Sequence, residues 1–128
     1  GRKRRCGWLD LVLLKQAALV SGIEGMALTK LDVLDSFHKI NLCISYSLNK
    51  KKYNYMPPNI GNTNALQKEY IELDGWNTST RGCRKYSELP NNAKKYISIL
   101  NELTGIELSL LSTSPEREDT ILFKDPFK

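Results

Sequence analysis

The stretch Lys39–Leu48 constrains the fold more than any other. Ile40, Leu42, Ile44, Tyr46 and Leu48 alternate with Asn41, Cys43, Ser45 and Ser47, and in an extended chain successive side chains point to opposite faces. Wound into a helix, the same order would scatter those apolar groups around the circumference, so a half-buried strand is expected. Polar residues 49–52 follow as a turn. Residues 53–56 read as a returning strand, stopped by Pro57 and Pro58 because proline brings no N–H to the ladder. A sheet with a β-hairpin is therefore the expected centre of the molecule.

Two segments carry the helical period instead. In residues 8–21, Leu9, Val12, Leu13, Gln16, Ala17 and Val20 recur at spacings of three and four, with Gly22 as a C-terminal stop. Further on, Ser87-Glu88-Leu89-Pro90 marks a helix start, Ala93, Tyr96, Ile97, Leu100 and Leu103 form a stripe, and Gly105 ends it. Residues 26–31 and 106–111 are short apolar runs without a helical polar face and are expected as buried strands. Residues 66–73 and 120–123 complete the strand set, 59–64 read as loop, and 75–86 as an irregular polar stretch. Strands and helices mix without strict βαβ alternation, so the expected class is α+β: a mixed sheet with a β-hairpin and two main helices.

With 128 residues, the chain can enclose one core and hide roughly two-thirds of the surface its unfolded form exposes. Hydrophobic residues at 41% and charged residues at 26% argue against disorder. No apolar run approaches the roughly eighteen residues of a membrane-spanning helix, so a membrane is not an expected partner. Cys6, Cys43 and Cys83 are scattered and odd in number, with no C-x-x-C pair, and His38 is the one histidine. Neither a disulfide framework nor a zinc site fits that set. Unpaired thiols and the lack of a signal-peptide pattern make the cytoplasm the expected compartment. The chain opens on Gly1 in the middle of a basic run, as expected of a piece of a longer protein.

Three segments could carry chemistry. The first is Gly1-Arg2-Lys3-Arg4-Arg5, part of a net charge of +5. Guanidinium groups match carboxylate and phosphate oxygens in bidentate fashion, which suits a loop closing on an anionic ligand, though a solvated basic tail has the same composition. The second is Thr29-Lys30-Leu31-Asp32 at a strand end. An Asp carboxylate can accept from both the N1 and N2 donors of guanine while a Lys stem lies along the purine face; a surface salt link is the plainer alternative. Asp35, three residues on, reads as a cap or turn residue. The third is Ser112-Thr113-Ser114-Pro115-Glu116-Arg117, again after an apolar strand. Its small hydroxyl residues would let the backbone approach a base, or would simply form a polar turn.

In this order and spacing the motifs resemble those of the adenylosuccinate synthetase family. The matching stretches are Gly1-Arg2-Lys3-Arg4-Arg5-Cys6-Gly7-Trp8-Leu9-Asp10, Leu28-Thr29-Lys30-Leu31-Asp32-Val33-Leu34-Asp35, Leu73-Asp74-Gly75-Trp76, Leu89-Pro90, Glu102-Leu103-Thr104-Gly105 and Ser112-Thr113-Ser114-Pro115-Glu116-Arg117. The resemblance implies the C-terminal part of a larger α/β enzyme, with residues 1–128 as one substrate- and guanine-recognition domain. That enzyme would be a GTP-dependent ligase of purine synthesis, joining IMP and L-aspartate through a 6-phosphoryl-IMP intermediate to give adenylosuccinate, GDP and phosphate. Carried over by position, Gly1, Arg2, Lys3 and Arg4 would form the aspartate loop. Arg2 would also reach IMP, and Arg4 the GTP phosphates. Lys30, Leu31 and Asp32, with Ser112, Thr113 and Ser114, would form the guanine site. Bacterial members often have Gly where this chain has Ser114.

The family's phosphate loop, its catalytic Asp and His and its Mg²⁺ ligands belong to an N-terminal region that this chain lacks. No catalytic or metal-binding residue is therefore expected here, and His38 is expected at the surface or as a cap. The isolated chain is expected to be inactive, and the full-length enzyme to be a homodimer. A competing class is a stand-alone basic module that binds RNA or another polyanion without chemistry. The cations are not interleaved with aromatic platforms, which speaks against nucleic acid. Affinity for RNA that survives physiological salt would favour the module.

Overall fold

The computed structural model describes residues 1–125, 127 and 128. In chain order the elements are β1 (Leu9–Asp10), α1 (Leu11–Ser21), β2 (Gly25–Leu28), β3 (Lys39–Leu48), β4 (Lys51–Tyr53), β5 (Gln67–Asp74), α2 (Asn91–Thr104), β6 (Glu107–Ser112) and β7 (Thr120–Leu122). They form two sheets. In the first, β3 is the hub, parallel to β1 and antiparallel to β4 and β5; in the second, β6 lies between parallel β2 and antiparallel β7. The mixed sheets, hairpin and two α-helices are the α+β arrangement the sequence pattern predicts. Among the described residues, no helix is long and apolar enough to cross a membrane.

The alternation in β3 does bury Ile40, Leu42 and Tyr46, but Cys43 and Ser45 are buried as well. The register against β5 shifts between Cys43 and Ser45, and a bulge of this kind turns neighbouring side chains off the simple in–out sequence. Val12 of α1 covers the second face, packing with Cys43 and Tyr46. The strand is thus covered on both faces at its middle rather than half-buried. The hairpin turn is also tighter than expected: Asn49 and Lys50 alone make it, both at positive φ (51° and 66°), and pairing resumes at Leu48 with Lys51. Positive φ at both central residues is what a two-residue turn needs to match the strand twist.

The N-terminal helix starts later than its periodicity implies. Asp10 caps it, its Oδ1 accepting the N–H groups of Val12 and Leu13 at 3.1 and 3.2 Å, while Oδ2 accepts the Tyr46 hydroxyl at 2.6 Å. The inward face carries Leu11, Val12 and Ala18, whereas Leu13 and Val20 of the expected stripe face outward. A helix apolar on nearly every side gives a weak periodic signal, and here the cap and the packing on β3 decide the face. In α2 the signal is clean: Ala93, Tyr96, Ile97 and Leu100 are buried as expected, with Leu103 at the margin. These residues join Leu11, Leu31, Ile40, Leu42, Trp76, Leu108, Leu111 and Ile121 in the main core. Burial also pushes the Tyr96 hydroxyl up to about 12.

Residues 26–31 are not one buried strand. Pairing stops at Leu28, Met26 and Leu28 are only partly covered, and Leu31–Leu34 turns into a short 3-10 helix. β2 is an edge strand, so one of its sides has no neighbouring strand to bury it.

Candidate functional site: two strand-end loops

β2 and β6 run parallel, with Leu28 opposite Leu111. Their C-terminal ends therefore release two loops side by side, the usual place for a ligand at a parallel sheet edge. The loop after β2 carries Lys30, Leu31 and Asp32; Ser112 ends β6, and the loop after it carries Thr113 and Ser114. They touch directly, the backbone N–H of Lys30 donating to Ser112 Oγ at 3.1 Å across 82 residues of sequence. Lys30 itself stands at φ 61°, in the left-handed region. A non-glycine residue seldom occupies that region, and where one does the surrounding structure holds it there.

Of the six residues expected at this site, Lys30 is exposed and Asp32 and Ser112 are partly so, while Leu31 is 1% exposed and belongs to the core. Thr113 and Ser114 are buried, and their hydroxyls are used internally. Thr113 Oγ1 donates to the Cys83 carbonyl at 2.8 Å. Ser114 Oγ donates to Asp119 Oδ2 at 2.7 Å and accepts the Glu116 N–H at 3.0 Å. The extra side chain at Ser114 is thus folded into its own loop. What residues 113 and 114 can offer outward is main chain.

Several residues that support these loops do not stand out in the sequence. Asp35, expected only as a cap or turn, accepts three hydrogen bonds of 2.7 Å, from Trp76 Nε1, Thr80 N–H and Thr80 Oγ1. Arg84 Nε donates to Asp119 Oδ1 at 3.0 Å and its Nη2 lies 3.4 Å from Glu118. The Ser114 hydroxyl, and after it the Arg84 guanidinium, hold the Asp119 carboxyl below the usual carboxylate range. Trp76, Thr80, Cys83 and Arg84 all lie in the irregular stretch without periodicity, where no local pattern announces a partner 30 to 45 residues away. Gly75 opens that stretch. Its N–H donates to the His38 carbonyl at 2.8 Å, and a Cβ there would collide with the Phe37 carbonyl. His38 itself is at the surface.

The basic segment is built differently. Gly1 through Gly7 are exposed and carry no regular structure. Among the described residues, no ion pair engages Arg2, Lys3, Arg4 or Arg5. The segment is nevertheless anchored near the strand-end loops. A depression of about 200 Å³ is walled by Gly7, Trp8 and Leu9 on one side and by Leu28, Thr29 and Lys30 on another. Trp8 packs edge-on against Phe37, ring centroids 5.1 Å apart. Among the described residues, no group of three or more His, Cys, Asp or Glu side chains is placed to hold a metal ion.

The structure thus sets two loops side by side at the ends of parallel strands, one carrying an exposed Lys and a carboxylate and the other small hydroxyl residues, on an α+β unit. Comparison with known proteins gives the family. The adenylosuccinate synthetase family model matches residues 1–121, and the chain belongs to that family. The structure is similar to that of fully ligated adenylosuccinate synthetase from Plasmodium falciparum, with a TM-score of 0.84 and 30% sequence identity over 96% of this chain. The match covers 30% of the Plasmodium chain, so this chain spans about a third of that protein's length.

Proposed function

We propose that this chain is the C-terminal recognition domain of a GTP-dependent ligase that joins IMP and L-aspartate to give adenylosuccinate. The family membership supports the reaction. The observation that carries the role of this chain is the Lys30 N–H to Ser112 Oγ bond, which ties the two loops into one surface. On this reading Asp32 accepts the paired N–H donors of guanine, the Lys30 stem covers the base, and residues 112–114 approach it with their main chain. Adenine lacks that donor pair, so an acceptor-only carboxylate favours guanine. Arg2 and Arg4, two cations separated by one residue in an extended segment, point the same way and clamp the aspartate, with Arg2 reaching IMP and Arg4 the GTP phosphates. Gly1 and Lys3 complete that loop.

Phosphoryl transfer needs a base, an acid and Mg²⁺ ligands that this chain does not supply; they would come from the rest of the enzyme, which would act as a homodimer. The isolated chain then forms no adenylosuccinate from GTP, IMP and aspartate, and measurable turnover by it would contradict the division of labour. The guanine site is tested by Asp32→Asn in the full-length enzyme. Replacing a carboxylate by a group that is half donor should raise the KM for GTP roughly ten- to a hundredfold, the worth of a charge-assisted pair. Unchanged GTP affinity would remove Asp32 from the site.

A further inference from the structure

Residues 76–84 lie outside both strand-end loops, yet the Asp35 carboxylate, the Thr113 hydroxyl and the Asp119 carboxylate all find partners on them. On one side, the Asp35 carboxylate fastens the turn that follows Lys30 and Asp32 to Trp76 and Thr80. Thr80 is fully buried, so its hydroxyl and N–H have no water to replace Asp35. On the other side, the Thr113 hydroxyl reaches the Cys83 carbonyl, and Arg84 grips Asp119, whose second oxygen takes the Ser114 hydroxyl. Asp119 also returns its carbonyl to the Thr113 N–H at 2.9 Å. The Asp119 side chain is only 13% exposed although Arg84 is 56% exposed, so the pair seals the loop from outside. One nine-residue segment is therefore bonded to both walls of the proposed guanine site and to neither strand.

We infer that residues 76–84 act as a positioning splint that sets the distance between Asp32 and the 112–114 main chain, with Thr80 and Arg84 as its two attachment points. This rests on the guanine reading of the two loops. A site that reads a base by main-chain and carboxylate contacts must hold its walls to within a fraction of an ångström. The direct Lys30 to Ser112 bond fixes only one edge of the gap. The splint fixes the far ends of both loops, and it does so without touching the base, so its loss should impair nucleotide binding selectively.

The test uses the full-length enzyme carrying Thr80→Val, Thr80→Ser, Arg84→Gln and, as a control on the site itself, Asp32→Asn, with separate KM values for GTP, IMP and aspartate. Thr80→Val keeps shape and removes one bond to Asp35; Arg84→Gln sits at the surface and does not threaten folding. Both should raise the KM for GTP about tenfold while the IMP and aspartate values stay within twofold, and Thr80→Ser should restore GTP binding. The splint is overturned if GTP binding is unchanged in both variants while Asp32→Asn weakens it, or if all three KM values rise together. If Asp32→Asn also leaves GTP unaffected, the guanine site itself is wrong and the splint falls with it.

Discussion

The strand-end loops and the N-terminal basic segment both carry polar and charged side chains toward one region, yet they are held in opposite ways. In the loops, the Asp35 carboxylate and the hydroxyls of residues 112–114 are tied inside the chain: Ser112 to Lys30, Thr113 to Cys83, Ser114 to Asp119, Asp35 to Thr80 and Trp76. In residues 1–7 the side chains are exposed, and Arg2 to Arg5 make no ion pair among the described residues. The contrast matches two kinds of recognition. A flat base is read by prebuilt walls that lose little entropy on binding. A small dicarboxylate is gathered by long cationic side chains, and the ligand's own charged groups supply the ordering.

That contrast can be broken by substitution. The largest effect is expected at Asp35. Asp35→Ala leaves the buried Thr80 hydroxyl, the Thr80 N–H and the indole N–H without their acceptor, a loss on the order of 3 kcal/mol or more in unfolding free energy by denaturant titration. Arg4→Ala in the same titration should leave the midpoint where it is, because nothing internal depends on it. A comparable loss at both positions would erase the distinction.

Activity should show the reverse order. Arg2→Lys and Arg4→Lys keep the charge and lose the planar fork, so turnover of the full-length enzyme should drop roughly ten- to a hundredfold at either position. Lys3→Ala should cost less than about twofold. Equal, mild and salt-dependent losses at all three would mean a diffuse anionic attractant instead of a clamp.

Acid sensitivity gives a smaller but cleaner difference. Because the folded Asp119 carboxyl is held below its ordinary value, first by the Ser114 hydroxyl and then by Arg84, its contribution is fully present above the unfolded value of about 3.9. It is lost only as the pH falls through the lowered folded value. Wild type should therefore keep this contribution from neutral pH down to about 4, and Asp119→Asn should be less stable across that range. The two unfolding curves should converge on further acidification. A difference between them that is the same at every pH would remove the carboxylate as the brace. The smallest effect is expected at Lys39, whose ion pair with Asp74 is exposed on both sides. Lys39→Ala should not move the melting transition measurably.

How much of this was legible in the sequence depends on range. Periods of two and of 3.6 are local, so β3 and the inward face of α2 could be read from residue order. The α1 face could not, because Leu13, Leu19 and Val20 are as apolar as the residues that turned inward, and the choice was made by Asp10 and β3. Lys30, Asp32 and residues 112–114 were found through motif resemblance, and the fold does bring them to neighbouring strand ends. Asp35, Thr80, Arg84 and Asp119 were missed as a group. Their bonds span 35 to 45 residues, and a threonine or arginine in an irregular stretch looks alike whether or not a carboxylate waits across the fold.

Hydrogen exchange on the full-length enzyme, read amide by amide without ligand, separates the two regions most directly. The N–H groups of Lys30, Thr80 and Thr113, each bonded at 2.7 to 3.1 Å, should be protected by orders of magnitude over residues 2–7, which should exchange at the rate of an unstructured peptide. Addition of aspartate, IMP and GTP together should slow residues 2–7 and change the other three little. Unprotected amides at 30, 80 and 113 before ligand, or a basic segment already protected without it, would contradict a prebuilt base site beside a ligand-ordered clamp.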